Sequence, residues 1–160
     1  MKKFVSLILC LFIYQISMAQ DNRKHYDFII SVDEEIVKTL TKPKIIIRQG
    51  ADIVKTIDVK YHPGNLSLSC EDFNLISSNE KGTLFLQFDF YQYSPKGKQE
   101  IYNYEIEMGK NWFEQLFVIL SIYNLDKRKY RKILDPLSKD KNYTFDLETS
   151  QGQMIRIRKR

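Results

Sequence analysis

The stretch that most constrains this chain runs from Thr83 to Met108, where two alternating segments flank a loop rich in Pro and Gly. Leu84, Leu86, Phe88 and Phe90 fall on one face of the first segment and Phe85, Gln87, Asp89 and Tyr91 on the other. That is a period of two, the signature of a half-buried strand. The return segment repeats it, with Tyr102, Tyr104, Ile106 and Met108 set against Ile101, Asn103, Glu105 and Glu107. Between them Ser94-Pro95-Lys96-Gly97-Lys98-Gln99 allows the chain to reverse, Pro fixing φ and Gly permitting positive φ. A two-stranded hairpin does not hold in water alone, so its apolar face demands a cover from the rest of the chain.

The cover expected is Phe117 to Tyr123 (FVILSIY), a compact β-rich apolar run. Trp112, Leu116, Ile119, Leu120 and Tyr123 also recur at helical spacing behind Asn111, with Glu114 three residues on, the pattern of a capped helix start. The run lacks the polar face of a surface helix, which favours a buried central strand.

Further segments read the same way. Tyr26 to Val32 predicts a first strand, and Lys44 to Arg48 with Ile53 to Tyr61 predicts a hairpin around Gln49-Gly50-Ala51-Asp52. Leu66 to Ser69 begins another strand, whose pairing Phe73 to Ser77 is expected to extend. Ile36 to Leu40 reads either as a short helix capped by Asp33 or as an irregular crossover, ended by Pro43. After the polar turn Asn124 to Lys129, the segment Tyr130 to Leu134 returns, and Tyr143 to Glu148 with Gln153 to Arg158 makes a terminal hairpin. Evenly spaced short strands with turn signals predict an all-β fold, an antiparallel β-sandwich of immunoglobulin-like architecture with about eight to ten short strands.

The first 19 residues predict where the chain goes. Lys2 and Lys3 precede an apolar run from Phe4 to Ile16, and Ser17-Met18-Ala19 places small residues before Gln20. This is the form of a signal peptide cleaved after Ala19, implying a secreted or periplasmic protein with residues 20–160 as one β-sandwich domain. The run is shorter than the roughly 20 residues of a spanning helix, and no transmembrane segment is expected in the mature chain. Cleavage removes Cys10 and leaves Cys70 alone, so no internal disulfide is available and stability must come from the core. Aromatic residues at 13% make such a core credible.

Charge is uneven. Residues 20–108 hold 11 Lys and Arg against 14 Asp and Glu, whereas residues 109–160 hold 12 against 6. The basic cluster Lys127, Arg128, Lys129, Arg131 and Lys132 could join Arg156, Arg158, Lys159 and Arg160 in one positive surface. Such a surface suits an anionic glycan, lipid headgroups or an acidic protein, and export argues against nucleic acid. Lys and Arg also protect sheet edges from unwanted pairing, which accounts for the same residues without a ligand.

No catalytic or metal-binding signature is present, and no cofactor is expected. His25, His62 and Cys70 show no paired ligand spacing, and the surroundings of Cys70 predict a buried structural thiol. Glu105 and Glu107 share a face and could serve a small hydrolase as paired carboxylates, although outward acids are also what a solvated sheet face carries. Tyr91 and Tyr93, with Phe85 and Ile101, put aromatic and apolar groups on the hairpin's outer face, a pattern suited to binding proteins or sugars, although burial against another part of the same chain accounts for them equally without a partner. The leading expectation is an exported, non-catalytic binding module of unknown partner, a protein, glycan or anionic surface, with Tyr91, Tyr93 and the Lys127 to Lys132 cluster as candidate surfaces. The rival is a small closed β-barrel holding an apolar small molecule.

Overall fold

A computed structural model describes residues 22–78, 81–93 and 97–155. The expected signal peptide, parts of the turns before the central hairpin and at its tip, and the C-terminal arginines lie outside them. The described residues are mostly β, with twelve strands in three sheets, none of them closed. They hold no helix long and apolar enough to cross a membrane.

The chain begins with β1 (Arg23–Tyr26) and β2 (Phe28–Val32), one run broken at Asp27, followed by the short β3 (Glu35–Ile36). Next come β4 (Thr41–Gln49), β5 (Asp52–Asp58), β6 (Lys60–His62) and β7 (Asn65–Ser69), then helix α1 (Cys70–Ser78). The central hairpin is β8 (Thr83–Tyr93) and β9 (Gln99–Met108), followed by a 3-10 turn at Lys110–Glu114 and β10 (Val118–Asn124). A one-turn helix α2 (Arg128–Arg131) leads to β11 (Tyr143–Thr149) and β12 (Gly152–Met154).

The four-stranded sheet runs β5-β4-β8-β9 and the five-stranded sheet β12-β11-β10-β2-β3, with a small sheet β1-β7-β6 at one corner. Two strands change sheet there. β1 continues into β2 across Asp27, and β5 into β6 across Val59, as strands do where packed sheets meet at a corner. These breaks raise the strand number above the expected eight to ten. One pairing departs from the antiparallel expectation, since β2 and β10 run parallel. The closed-barrel expectation is also corrected: β5 and β9 end one sheet, and β12 and β3 the other, without pairing to each other.

The hairpin's inner face is core, as its alternation predicts: Leu84, Leu86, Phe88, Tyr104, Ile106 and Met108 are buried. They share one apolar cluster with Leu120 and Ile122 of β10, so the FVILSIY run is the strand that covers the hairpin. Trp112 occupies the 3-10 turn rather than a longer helix and packs on Phe28, ring centroids 6.2 Å apart.

Four local expectations change. Phe73 to Ser77 belongs to a helix, because Ser69 Oγ accepts from the Asp72 amide (3.1 Å) and donates to its carboxylate (2.6 Å), a reciprocal N-terminal cap. Of the two readings of Ile36 to Leu40 the irregular crossover between sheets holds and the helix does not: Asp33 and Glu34 take positive φ (54° and 76°) in a tight turn that folds β3 back on β2. Pro43 lies within β4 at a register irregularity rather than ending a segment, a place where a missing N–H is tolerated. Tyr130 to Leu134 begins in α2 instead of a strand, and Tyr130 and Leu134 form a small separate cluster with Leu125.

Candidate functional site

The hairpin is longer than its neighbour. β4 follows β8 from Thr83 only as far as Asp89, while β8 and β9 stay paired out to Tyr93 and Gln99. The pairs Phe90 with Tyr102, Tyr91 with Ile101, Gln92 with Glu100 and Tyr93 with Gln99 therefore form a two-stranded arm projecting past the sheet. On its outer face Tyr93 is 69% exposed, Ile101 56% and Tyr91 37%. Tyr91 and Ile101 are directly opposed, so these side chains make a continuous apolar strip. Phe90 and Tyr102 face inward and pack against the core, Tyr102 lying parallel to Tyr104 with centroids 6.3 Å apart. Burial and a hydrogen bond to Glu100 push the Tyr102 hydroxyl up to about 12.

Nearer the body of the sheet, the outer face is polar and interlocked. Arg48 forks onto Glu105 through two hydrogen bonds (3.0 and 2.7 Å) and lies over the Phe85 ring at 4.7 Å. Lys141 approaches the same carboxylate at 3.5 Å. Arg48, ahead of burial and Lys141, determines the outcome and holds Glu105 below the usual carboxylate range. Glu105 is thus an ionised carboxylate held by two cations, and Glu107 of the same strand face lies with it on the lining of the adjoining cleft.

Beside this lies a cleft of about 590 Å³, between β9, the 3-10 turn, the 137–141 segment and β11–β12. Met108, Trp112, Leu137, Phe145, Leu147 and Met154 give it an apolar floor, and Glu105, Glu107 and Lys141 a charged rim. Sequence reasoning did not assemble it. Its lining comes from distant segments that carry no local signal other than burial.

The basic cluster is less free than its composition suggests. Lys127 binds Asp33 at 2.8 Å, and that carboxylate is almost fully buried. Asp33 also accepts from the Asn124 amide (2.9 Å) and its side chain (2.8 Å), while Tyr104 donates to Asn124 Oδ1 (2.8 Å). This buried chain of bonds ties β9 to β10 and the β2–β3 turn, so Lys127 is part of the core's polar closure. Lys129 pairs with Glu34 at 3.1 Å and lies over the Tyr130 ring at 4.5 Å. Arg128 and Lys132 point into solvent, and Arg131 borders a groove with Leu125, Leu134 and Pro136. The structure thus keeps Tyr91 and Tyr93 together on the arm's outer face and splits the basic cluster between structural and exposed members.

Cys70 is half-buried and opens α1, a correction to the buried thiol expected from its neighbours. His25 lies against the Asn65 amide (3.1 Å) and His62 sits in the turn beside Pro63. Among the described residues no group of three or more His, Cys, Asp and Glu side chains could hold a metal ion. Comparison with protein-family models, with curated proteins and with solved structures finds no match.

Proposed function

We propose that this chain is an exported, secreted or periplasmic β-sandwich that acts as a non-catalytic binding module, and that the projecting hairpin arm is its contact surface. One observation carries the reading: four residue pairs extend beyond β4 and present Tyr91, Tyr93 and Ile101 to solvent in a strip. Tyrosines on a rigid ladder supply contact area at low entropic cost and hydrogen-bond at their tips, which suits a protein surface or a glycan. The exposed Arg128 and Lys132 would add attraction for an acidic partner. The N-terminal Lys-Lys, apolar and small-residue pattern supports export.

Replacing Tyr93 with a photo-crosslinking phenylalanine analogue and irradiating the cells that make the protein tests the reading. A discrete adduct from position 93, absent from exposed Lys139 and lost on Tyr91→Ser, is the expected result. Equal labelling from both positions would remove the arm as a contact surface.

A second reading places an apolar small molecule in the 590 Å³ cleft, favoured by its apolar floor and by Lys141 at its rim. Trp112 is the chain's one tryptophan and lines this cleft, so its fluorescence reports occupancy directly. Saturable energy transfer from Trp112 to anilinonaphthalene sulfonate in the native state supports this reading, and no transfer rejects it.

A further inference from the structure

We infer that the arm's free edge, Gln99 to Asn103 of β9, pairs with the same edge of a second copy to form a two-fold dimer with one sheet running through both chains. The Glu105 amide and carbonyl both bond to the Tyr143 hydroxyl (2.9 and 2.6 Å), so at Glu105 they point away from β8. In an antiparallel ladder this alternates residue by residue, and the β8–β9 register is unbroken. Gln99, Ile101 and Asn103 therefore also aim their amide and carbonyl groups at the free edge, and no backbone partner takes them among the described residues.

The two outer edges of this sheet are treated differently. β5 carries Asp52, Lys55 and Asp58, and its pairing with β4 has a register irregularity at Ile47/Arg48, the usual devices against edge pairing. Gln99-Glu100-Ile101-Tyr102-Asn103 carries a single charge, Glu100, and no Lys, no Pro and no bulge.

Self-complementarity selects the occupant. With the two-fold axis at Ile101, Ile101 faces Ile101 of the second copy and Gln99 faces Asn103, so all three free pairs bond and no like charges are opposed. Shifting the axis toward Asn103 brings Glu105 into the ladder, where Tyr143 already occupies its groups. Shifting it toward Gln99 runs off the end of β9. In the register at Ile101 the outer strips join as Tyr91, Ile101, Ile101 and Tyr91 across the junction. The dimer does not depend on what the arm's outer face binds.

Sedimentation of the purified protein over a concentration series is the test. So small a junction predicts a weak dimer, with the weight-average mass rising from the monomer value toward twice that value between about 1 and about 500 µM. Ile101→Pro should hold the mass at the monomer value with unchanged circular dichroism, because that amide donates to nothing within the chain. Should Ile101→Pro unfold, Ile101→Lys gives the same readout by opposing two cations at the axis. Tyr93→Ser, which removes one ring of the proposed contact surface, should leave the dimer intact. A wild-type mass that stays monomeric throughout, or a dimer that survives both Ile101 variants, overturns the inference.

Discussion

The hydroxyl of Tyr143 donates to the carbonyl of Glu105 at 2.6 Å and accepts from the amide of the same residue at 2.9 Å. One side chain from the five-stranded sheet thus fills, on the edge of the four-stranded sheet, the place of a neighbouring strand. Tyr143→Phe should leave the amide without a partner and the carbonyl with only the longer contact from Lys141 Nζ (3.5 Å), and lower stability by about 1–2 kcal/mol in urea unfolding. Amide exchange at Glu105 should quicken while that at Ile106, bonded toward β8, stays slow.

Asp33 makes Lys127 different from the rest of its cluster. Lys127→Glu sets a second negative charge against a buried carboxylate and should destabilise by at least about 3 kcal/mol. Arg128→Glu and Lys132→Glu, on solvated positions, should each change stability by less than about 0.5 kcal/mol. Urea midpoints of the three variants measure the contrast.

The Arg48 fork gives Glu105 a pH signature. Its carboxyl titrates below the ordinary value of 4.5 in the folded chain, so its stabilisation is complete above that value and is lost as pH falls through the lower folded one. Glu105→Gln should lower stability at pH 7 by roughly 1 kcal/mol and flatten the decline as pH falls below the ordinary carboxyl value of 4.5. Urea unfolding at stepped pH reads both effects.

Ser69 starts α1 through its exchange with Asp72. Ser69→Ala should cost about 1 kcal/mol and speed exchange of the first amides of α1, whereas Ser69→Thr, which keeps the hydroxyl, should retain most of the cap. A stability loss without faster exchange at Asp72 would assign Ser69 a role outside capping.

How far the chain could be read from its letters depended on the range of the interactions involved. Leu84 to Phe88 and Tyr104 to Met108 announce their burial because alternation is a local record of which side meets the core. Val118 to Asn124 announces itself by β-branched content. The Ser69-Cys70-Glu71-Asp72 cap was also written locally, yet the apolar residues after it imitate a strand.

Asp33 illustrates the opposite case: its acidic neighbourhood reads as a helix start, and its fate was settled by Asn124 and Lys127, some 90 residues away. The alternating pattern and the β class follow from residues close in sequence, whose period alone sorts inner from outer faces, whereas the exposure of Tyr91 and Tyr93 on an arm was decided by where β4 stops pairing with β8. Folding in space settled the remainder: which sheet each strand joins, that Glu105 is bound by Arg48, Lys141 and Tyr143, and that Met108, Trp112 and Phe145 line one cleft. Those facts rest on side chains meeting across long loops, and such meetings leave no periodicity in the chain.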